Sequence, residues 1–332
     1  MKALVTNPLN GVGLIELAEP VLHPDEVLVA PLMVGMCGTD LELIDATIDP
    51  AYVRYPLVLG HEWVGELLTT VDGVGSPGDH VVVEGIIPCG VCAECVRGDT
   101  NRCATYDEIG FTRPGALAER VAVPASLVHR VEPSVSLDDA VLVEPMAVVW
   151  RALTRIPLRR ALRVAVIGDG TIALLAAHMV RLFEPASVIV IGRREAQADL
   201  ARAAGADEFT TLTPHETFDL IIEAAGAPEA VASALSLGAR GALVILLGLP
   251  AHGTTIDLAP DDIVNNDLII QGSFSYTRAA WTDVVARLNA GTLHPSFLIT
   301  HRFTLDAAED AVATLRGSVA QGEPRGKVVV SL

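Results

Sequence analysis

The first part of the chain consists of short apolar runs separated by glycine and proline turns, with no long helical period. Three runs have the length and the β-branched content of strands: Val27–Ala30, Val81–Val83 and Arg120–Val123. Turns are predicted at residues 77–79 and 113–115, where a proline and a glycine are adjacent. This part of the chain is therefore predicted to be mainly β.

The pattern changes near Leu142, where strand-like and helix-like segments begin to alternate. A strand of the buried type, Arg163–Ile167, precedes a glycine turn and a helix pattern over Ile172–Phe183. The later segments of this kind are strands at Val188–Ile191, Leu220–Ile222 and Leu243–Leu247, and helices at Glu195–Ala204 and Ala230–Leu237. Such alternation predicts a parallel, doubly wound sheet, and thus an α/β fold.

The end of the chain leaves this alternation. Helix patterns around Trp281–Asn289 and Asp306–Leu315 are followed by a strand, Lys327–Val330. A chain of 332 residues is too long for one typical core, so we expect two domains. The changes of pattern place the boundaries at 1–144, 145–274 and 275–332.

Composition and charge exclude several classes of function. With 51% hydrophobic and 19% charged residues, the chain is globular rather than disordered. Its formal net charge of -18 argues against nucleic acid or an anionic membrane surface as a partner. The longest apolar runs fall far short of the roughly 20 residues that span a bilayer. Because Met1–Val5 reads as a strand and not as a signal peptide, we expect a cytoplasmic protein.

The five cysteines divide into four and one. Four of them, in a lobe at about 88–104, have the spacing C-x2-C-x2-C-x7-C and are Cys89, Cys92, Cys95 and Cys103. Four thiolates within so short a segment suit a closed, structural zinc site. The alternative is a redox pair or unrelated thiols, which the specific spacing disfavours.

The fifth cysteine, Cys37, predicts a second and open metal site. Together with His61 it offers a soft and a borderline ligand, a combination that suits zinc. No further cysteine remains, so the third ligand must be a carboxylate, either Glu62 or Glu144. A catalytic zinc keeps one position open for water or substrate, and Thr39 is placed to hydrogen-bond an alcohol there. We therefore expect two zinc ions per chain.

A nucleotide-binding loop follows the first strand of the alternating region. Residues 168–173 read G-x-G-x-x-A between a buried strand and a helix, which is the context that the dinucleotide fingerprint requires. The glycines let the backbone approach a pyrophosphate, and the helix N-terminus favours its charge. The residues predicted to contact the cofactor here are Gly168, Gly170, Thr171 and Ile172.

The second strand of this region ends in arginines where an NAD-binding protein usually has an acid. Arg193 and Arg194 suit a 2′-phosphate, so NADP is favoured over NAD, although Glu195 could serve a ribose instead. Later strands end at the crevice where a nicotinamide would lie. The candidate contacts there are Ala225, Leu247, Gly248 and Ser273.

By these motifs the chain resembles the zinc-dependent medium-chain dehydrogenase/reductase superfamily over essentially its whole length. The resemblance rests on residues 37–40, residues 60–62, the four-cysteine lobe and residues 168–173, in that order. It implies a GroES-like catalytic domain and a Rossmann domain, with residues 275–332 returning to the catalytic domain. It also implies a homodimer or homotetramer.

Within the superfamily the chain is similar to the polyol and sugar branch. Glu144 stands where simple alcohol dehydrogenases carry a cysteine ligand, and in the polyol branch the equivalents of Cys37, His61 and Glu62 hold the catalytic zinc. Glu42 and the arginine pair are similar to microbial glucose dehydrogenases, whereas the run from Gly60 to Trp63 is similar to aminocyclitol dehydrogenases.

The resemblance implies reversible hydride transfer between NAD(P) and a secondary alcohol of a polyol, sugar or cyclitol. In this hypothesis Thr39 orients the alcohol, Glu42 or Glu62 completes proton transfer, and Glu108 binds another substrate hydroxyl. The competing hypothesis is a zinc-stabilised, NADP-binding regulatory or sensor protein without turnover. Such a protein would need the closed zinc site and the nucleotide loop but no open zinc site.

Overall fold

The computed structural model of the chain describes residues 1–251, 253–318 and 322–332. These residues form two compact units. The first comprises residues 1–144, 276–318 and 327–332, and the second comprises residues 145–275 and 322–326. Among the described residues, no helix is long and apolar enough to cross a membrane.

Strands dominate the beginning of the first unit, as the sequence predicts. They are β1 (Lys2–Asn7), β2 (Gly11–Glu16), β3 (Glu26–Met36), β4 (Leu57–Val58), β5 (Glu62–Leu67), β6 (His80–Val83), β7 (Ile86–Ile87), β8 (Asp107–Glu108), β9 (Val121–Pro124) and β10 (Val128–Arg130). The short helices are α1 (Gly38–Ile44), α2 (Ala93–Arg97) and α3 (Leu137–Ala140), and α4 (Val143–Thr154) follows them.

The second unit is a six-stranded parallel sheet with helices between its strands. Its strands are β11 (Arg163–Ile167), β12 (Ser187–Ile191), β13 (Glu208–Thr210), β14 (Phe218–Glu223), β15 (Gly238–Leu246) and β16 (Ile269–Gly272). Its helices are α5 (Thr171–Val180), α6 (Ala198–Ala203), α7 (Pro228–Ser236) and α8 (Pro260–Asn265). The order β13-β12-β11-β14-β15-β16, with every pair parallel, confirms the predicted doubly wound α/β fold.

The end of the chain returns to the first unit. It contributes α9 (Arg278–Asn289), β17 (Ile299–Thr304), α10 (Ala308–Arg316) and β18 (Lys327–Ser331). β18 lies antiparallel to β3, with Val328 opposite Met36, and completes a sheet of order β10-β6-β5-β3-β18-β17 with β9 attached to β3. The last strand is therefore built into the sheet that carries Cys37.

The burial along β3 changes as the strand approaches Cys37. Val27 and Val29 are buried and alternate with partly exposed neighbours, which is the pattern of a sheet with one solvated side. From Met33 to Met36 every residue is buried. The strand thus leads from the surface into the core of the first unit, and it ends beside the predicted open metal site.

The sequence left two features of the second unit unresolved. The helix predicted over Glu195–Ala204 begins with a 3-10 turn at Glu195–Gln197, a common start for an α-helix, before α6. The outer strands β13 and β16 were not predicted. They are only three and four residues long, which is too short for a clear period in the sequence.

Candidate active site

The four clustered cysteines lie around one point in the first unit. Their sulfur atoms are all within 4.8 Å of one another, and Cys92 and Cys95 are 3.4 Å apart. Backbone N–H groups point at the sulfurs, since Cys92 N donates to Cys89 Sγ and Cys89 N to Cys103 Sγ. Ligand atoms of a tetrahedral zinc are roughly 3.3–3.8 Å apart, so this lobe fits a structural zinc.

The second group consists of Cys37, His61 and Glu62, and one ligand atom from each lies within 4.8 Å of the others. Cys37 follows β3, whereas His61 and Glu62 stand at the start of β5. The antiparallel register of these two strands places Glu62 opposite Gly35 and so brings the three side chains together. The spacing of the atoms fits a second zinc.

The loop before His61 is held by a close approach of two backbone segments. Gly60 has φ +100°, and a Cβ there would lie 2.9 Å from Leu117 N. A Cβ on Gly115 would lie 2.4 Å from Leu59 O, so neither glycine can carry a side chain without displacing backbone. This close packing of the two backbone segments fixes the orientation of His61 at the start of β5.

A fully buried aspartate supports both Cys37 and His61. Asp40 Oδ2 accepts from Cys37 N at 2.8 Å, which caps the first turn of α1. Asp40 Oδ1 lies 3.6 Å from His61 Nδ1, and neither atom has a hydrogen-bond partner among the described residues. Burial opposes the charged imidazole, yet Asp40 raises the pKa of His61 well above its usual range. A carboxylate beside Nδ1 is the usual support of a metal-bound histidine.

A buried lysine, which the sequence pattern does not predict as a site residue, pairs with Glu62. Lys327 Nζ donates to Glu62 Oε2 and, at 3.1 Å, to Met36 O. The two residues are 2% and 1% exposed. Burial opposes the charge of Lys327, but the neighbouring charge of Glu62 raises its pKa nonetheless. At the start of a strand this lysine looks like an ordinary surface residue, and no local motif marks it.

Glu144, the other candidate carboxylate, lies close to this group but outside the set of three. Burial raises the pKa of Glu144 to about 8, and the charge of Glu62 adds to the effect while His61 opposes it. Its side chain keeps some access to solvent. Burial and the neighbouring charge of Glu62 thus both favour the uncharged form of this side chain.

Glu108 and a buried tyrosine extend this acidic surface. Burial raises the pKa of Glu108 to about 7, and His61 is near enough to oppose the shift. Tyr276, also buried, accepts from Gly85 N at 2.8 Å, and after burial itself the charges of Glu144 and Glu108 raise its pKa most. Tyr276 was not predicted as a site residue, because an isolated tyrosine carries no motif.

Thr39 and Glu42, the remaining predicted residues of the open site, both lie on α1. Thr39 Oγ1 is 3.7 Å from Cys37 Sγ, so the hydroxyl borders the ligand group. Glu42 lies one turn later with an exposed side chain, and the ligand group does not include it. The structure therefore brings Thr39, but not Glu42, to the cluster.

The predicted nucleotide loop joins β11 to α5 in the second unit. Gly168 has φ +126°, and a Cβ there would contact Ala224 and Ala173 at 3.1–3.2 Å. Gly170 caps α5, and a Cβ on it would meet nothing within 4 Å, so the backbone is open to a ligand on that side. Thr171 and Ile172 form the first turn of α5, whose N–H groups favour an anion.

Asp169 in this loop organises the arginine pair after β12. Its Oδ2 accepts from Arg193 N and Arg194 N at 2.9 and 3.0 Å, and its Oδ1 accepts from Arg194 Nη2 at 2.7 Å. Glu195, the alternative partner for a ribose, instead accepts from Thr211 Oγ1 at 2.7 Å. The arginines thus stand at the position expected for an adenosine-ribose contact.

The predicted crevice residues are linked through Glu223, the last residue of β14. Its Oε1 accepts from Ala225 N and Gly226 N at 2.8 Å, and its backbone oxygen accepts from Leu247 N at 2.8 Å. A Cβ on Gly248 would lie 2.1 Å from Gly226 N. The loops after β14 and β15 are therefore packed backbone against backbone.

Several buried polar atoms in this part of the second unit have no hydrogen-bond partner among the described residues, and they include Ser273 Oγ and Glu223 Oε2. Ser273 follows β16, and its N–H donates to Leu246 O at 3.0 Å. Buried polar atoms without a partner are costly, and a polar ligand would satisfy them. These atoms fit a nicotinamide cofactor at the carboxyl edge of the sheet.

Comparison with known proteins places the chain in a family. Residues 23–133 match the alcohol dehydrogenase GroES-like domain, and residues 137–321 match the glucose dehydrogenase C-terminus. The chain belongs to the zinc-dependent medium-chain dehydrogenase/reductase superfamily. This confirms the predicted superfamily and the predicted enzyme class.

Individual relatives of this medium-chain dehydrogenase cover nearly its whole length. An L-threonine 3-dehydrogenase of Streptomyces avermitilis is 34% identical, with 94% of this chain and 95% of that protein covered. A sorbitol dehydrogenase of Bacillus subtilis is 29% identical, with 94% and 92% covered. A zinc-binding dehydrogenase of Sinorhizobium meliloti, solved with NADP bound, has a TM-score of 0.89 and 27% identity, with 100% and 99% covered.

The Lys327–Glu62 pair gives a stability prediction. Lys327→Met leaves the Glu62 carboxylate buried without its cation, so we expect the dehydrogenase to lose about 3–5 kcal/mol in free energy of unfolding. Adding Glu62→Gln removes the unpaired charge and should restore part of the loss. Denaturant unfolding of the single and double variants, with and without zinc, measures the coupling.

The chain's other lysine provides the matched control. Lys2 forms an exposed pair with Asp306, so Lys2→Met should cost less than about 1 kcal/mol. Equal losses of unfolding free energy in Lys327→Met and Lys2→Met would contradict a buried, stabilising pair of Lys327 and Glu62. So would a Lys327→Met/Glu62→Gln double variant whose loss is the sum of the two single losses.

Proposed function

We propose that this medium-chain dehydrogenase oxidises a secondary alcohol of a polyol, sugar or cyclitol reversibly, with NADP preferred to NAD. In this proposal the first unit is the catalytic domain and the second binds the cofactor. The observation that carries the proposal is the division of the metal ligands into a closed group of four thiols and an open group with carboxylates beside it. Only the open group leaves room for a substrate.

Cys37 and His61 would hold the catalytic zinc, with Glu62 as the third ligand. Of the two candidate carboxylates, Glu62 has the atom within reach of both other ligands, which favours it over Glu144. When bound, zinc supplies Lewis-acid polarisation of the substrate hydroxyl and the nicotinamide accepts the hydride. Lys327 balances the charge of Glu62 and keeps that carboxylate in place.

Thr39 is suited to orient the alcohol and to receive its proton at Oγ1. Glu42 lies three residues later on α1 and therefore on the same side of the helix. Because its carboxylate is exposed, Glu42 is suited to pass a proton from Thr39 to solvent. Glu62 is less suited to this task, since its carboxylate is buried and bonded to Lys327.

The acidic surface favours a substrate with several hydroxyl groups. Burial raises the pKa of Glu108 to about 7 and that of Glu144 to about 8, which favours the protonated form more strongly than in an exposed glutamate. A carboxylic acid both donates to and accepts from a hydroxyl group. We therefore prefer a polyol, of the kind named for the sorbitol dehydrogenase, over L-threonine as the substrate.

Zinc content tests the open site directly. We expect two zinc ions per chain in the wild type and one in Cys37→Ser, which should also lose turnover because the open site has lost a ligand. Metal analysis after dialysis gives the stoichiometry, and the nicotinamide absorbance gives the activity. Cys92→Ser is the control, because it should lose the zinc of the closed site instead. One zinc in the wild type would favour the non-catalytic alternative.

Glu108→Ala tests the substrate class. Loss of one hydrogen bond to a charged or acidic group should raise KM for sorbitol about tenfold or more, while the kinetics with 2-butanol, which has no second hydroxyl, stay unchanged. The exposed Glu132→Ala serves as the control and should alter neither substrate. A parallel loss with both alcohols would show that Glu108 does not contact a substrate hydroxyl.

We also propose that two copies of the chain pair through β16. This strand ends the six-stranded sheet, and within the described residues no strand pairs with its outer edge. Ile269 and Ile270 point to opposite sides of the strand and are 50% and 38% exposed, and Val264 and Phe274 nearby are also exposed. A second copy related by two-fold symmetry would satisfy the edge and cover these side chains.

A charge on this edge should prevent pairing. Ile270→Lys is expected to convert a dimer into a monomer, because the lysine would have to be buried against its symmetry mate. Size-exclusion chromatography with light scattering measures the mass. Leu212→Lys, next to β13 at the opposite edge of the sheet, should leave the dimer intact. A dimer that survives Ile270→Lys would refute this interface.

A further inference from the structure

The closed cysteine lobe is inserted between the two strands of the small sheet that carries Glu108. Residues 88–106 leave the end of β7 and return at β8, and the pairing of Ile86 with Glu108 closes this loop at its base. Just beyond that pair, Ile109 N donates to Gly85 O at 2.9 Å. The lobe and Glu108 therefore share one short base in the first unit.

The lobe depends on its metal for a fixed shape. All five residues of α2 are at least partly exposed, and Val91 and Val96 are 83% and 75% exposed. Apolar side chains that face water contribute little to folding, so the four thiols are the groups that hold these turns together. With zinc bound to them the lobe would have one conformation, and without it the backbone between Cys89 and Cys103 would be free to move.

A hydrogen bond connects the lobe to the start of α9. Arg278 is the first residue of this helix, and its N–H, which has no acceptor within the helix, donates to Thr100 Oγ1 at 3.2 Å. Thr100 begins the 3-10 turn before Cys103, and Cys103 N donates to Thr100 O at 3.2 Å. The hydroxyl group that holds α9 therefore stands on the same turn as a ligand of the closed site.

The Arg278 side chain continues this connection to a buried acid. Its Nε donates to Glu84 Oε1 at 3.0 Å, and His129 Nε2 lies 2.9 Å from the same oxygen. The Glu84 side chain is only 2% exposed, and a buried carboxylate is tolerated only where it is paired. Arg278 is thus attached to the lobe through its N–H and to the segment between β6 and β7 through its guanidinium group.

Tyr276, two residues before Arg278, brings the connection to the acidic surface of Glu108 and Glu144. Gly85 N donates to the Tyr276 hydroxyl group at 2.8 Å. A Cβ on Gly85 would lie 3.1 Å from the same hydroxyl oxygen and 4.0 Å from Glu108 Cγ, so the tyrosine and the glutamate lie around one glycine. A shift of Arg278 would therefore move the hydroxyl group that stands beside Glu108.

We propose that Arg278 is a positioning residue that couples the zinc of the closed cysteine site to the affinity for substrate hydroxyl groups. In this proposal the occupied lobe holds Arg278 through Thr100, and Arg278 holds Tyr276 beside Glu108. The closed site then has a task in substrate binding beyond stabilising its own lobe. The inference rests on the function proposed above, which places a substrate hydroxyl group at Glu108.

Two measurements on the zinc-loaded protein test this coupling without turnover. Hydrogen–deuterium exchange followed by mass spectrometry reports the backbone N–H groups of residues 276–289. Calorimetry without cofactor reports the affinities for sorbitol, glucose and myo-inositol, one ligand from each proposed substrate class. Metal analysis of every variant confirms which of the two zinc sites is filled.

The variants interrupt the connection at different points. Thr100→Val removes the acceptor at nearly constant volume, Thr100→Ser keeps it, Arg278→Gln removes the guanidinium group, and Cys92→Ser empties the closed site. Arg120→Gln is the matched control, because Arg120 pairs with Glu19 at the surface of the same unit and its side chain is 45% exposed, against 44% for Arg278.

Thr100→Val and Arg278→Gln should each weaken the ligand that the wild type binds most tightly by about threefold to tenfold, as expected for one hydrogen bond. Both should speed exchange over residues 276–289 but not over α10, and Thr100→Ser and Arg120→Gln should match the wild type. Cys92→Ser should show the same two effects while it keeps the zinc of the open site. In that background Thr100→Val should add nothing, because the connection that it removes is already lost.

Additive losses of affinity in the Cys92→Ser/Thr100→Val double variant, or unchanged affinity in Thr100→Val and Arg278→Gln, would overturn the coupling. Faster exchange throughout the first unit would show a purely structural role and would overturn it too. A wild type that binds none of the three ligands would overturn the proposed function and this inference together, whereas failure of the coupling alone leaves wild-type binding intact.

Discussion

The active site depends on the charge balance around one buried ammonium group, that of Lys327. Cys37, Asp40 and Glu62 place three acidic groups in a small buried volume, and His61 and Lys327 are the bases among them. A charge in such surroundings is tolerated only when it is paired and hydrogen-bonded. Lys327 meets this condition through Glu62 and the Met36 carbonyl.

In the second unit, the loops after β14 and β15 are ordered mainly by backbone contacts. Glu223 binds the N–H groups of the loop that follows it, and the glycines of two loops approach too closely for any side chain. Such packing gives a rigid edge with a few buried polar atoms left for a ligand. The two units thus illustrate different ways of preparing a site in advance of its ligand.

Local chemistry explains what could be predicted from the sequence. The four-cysteine spacing, the glycine loop and the alternation of strands and helices each lie within one segment, and the corresponding elements are observed. Lys327, Asp169 and Arg278 act on residues that are distant in sequence or through ordinary side chains, so no motif identifies them. The same holds for β13 and β16, which are strands because of their neighbours and not because of their own pattern.

The third ligand of the open metal site could not be predicted from the sequence either, since Glu62 and Glu144 were both candidates. Both residues are next to strong motifs, and sequence spacing alone does not separate them. The register of β3 against β5 brings the Glu62 carboxylate within reach of Cys37 and His61, which is why we propose it as the third ligand. Register depends on the packing of the whole sheet, which is a property of the folded unit.

The pairing of Lys327 with Glu62 joins residues separated by 265 positions, and this has a consequence for biosynthesis. A ribosome makes the chain from the N-terminus, and the strands that hold Cys37 and His61 emerge long before β18. Until β18 is added between β3 and β17, Glu62 lacks its lysine partner. The nascent first unit therefore stays incomplete, with an open sheet edge, while the second unit is synthesised.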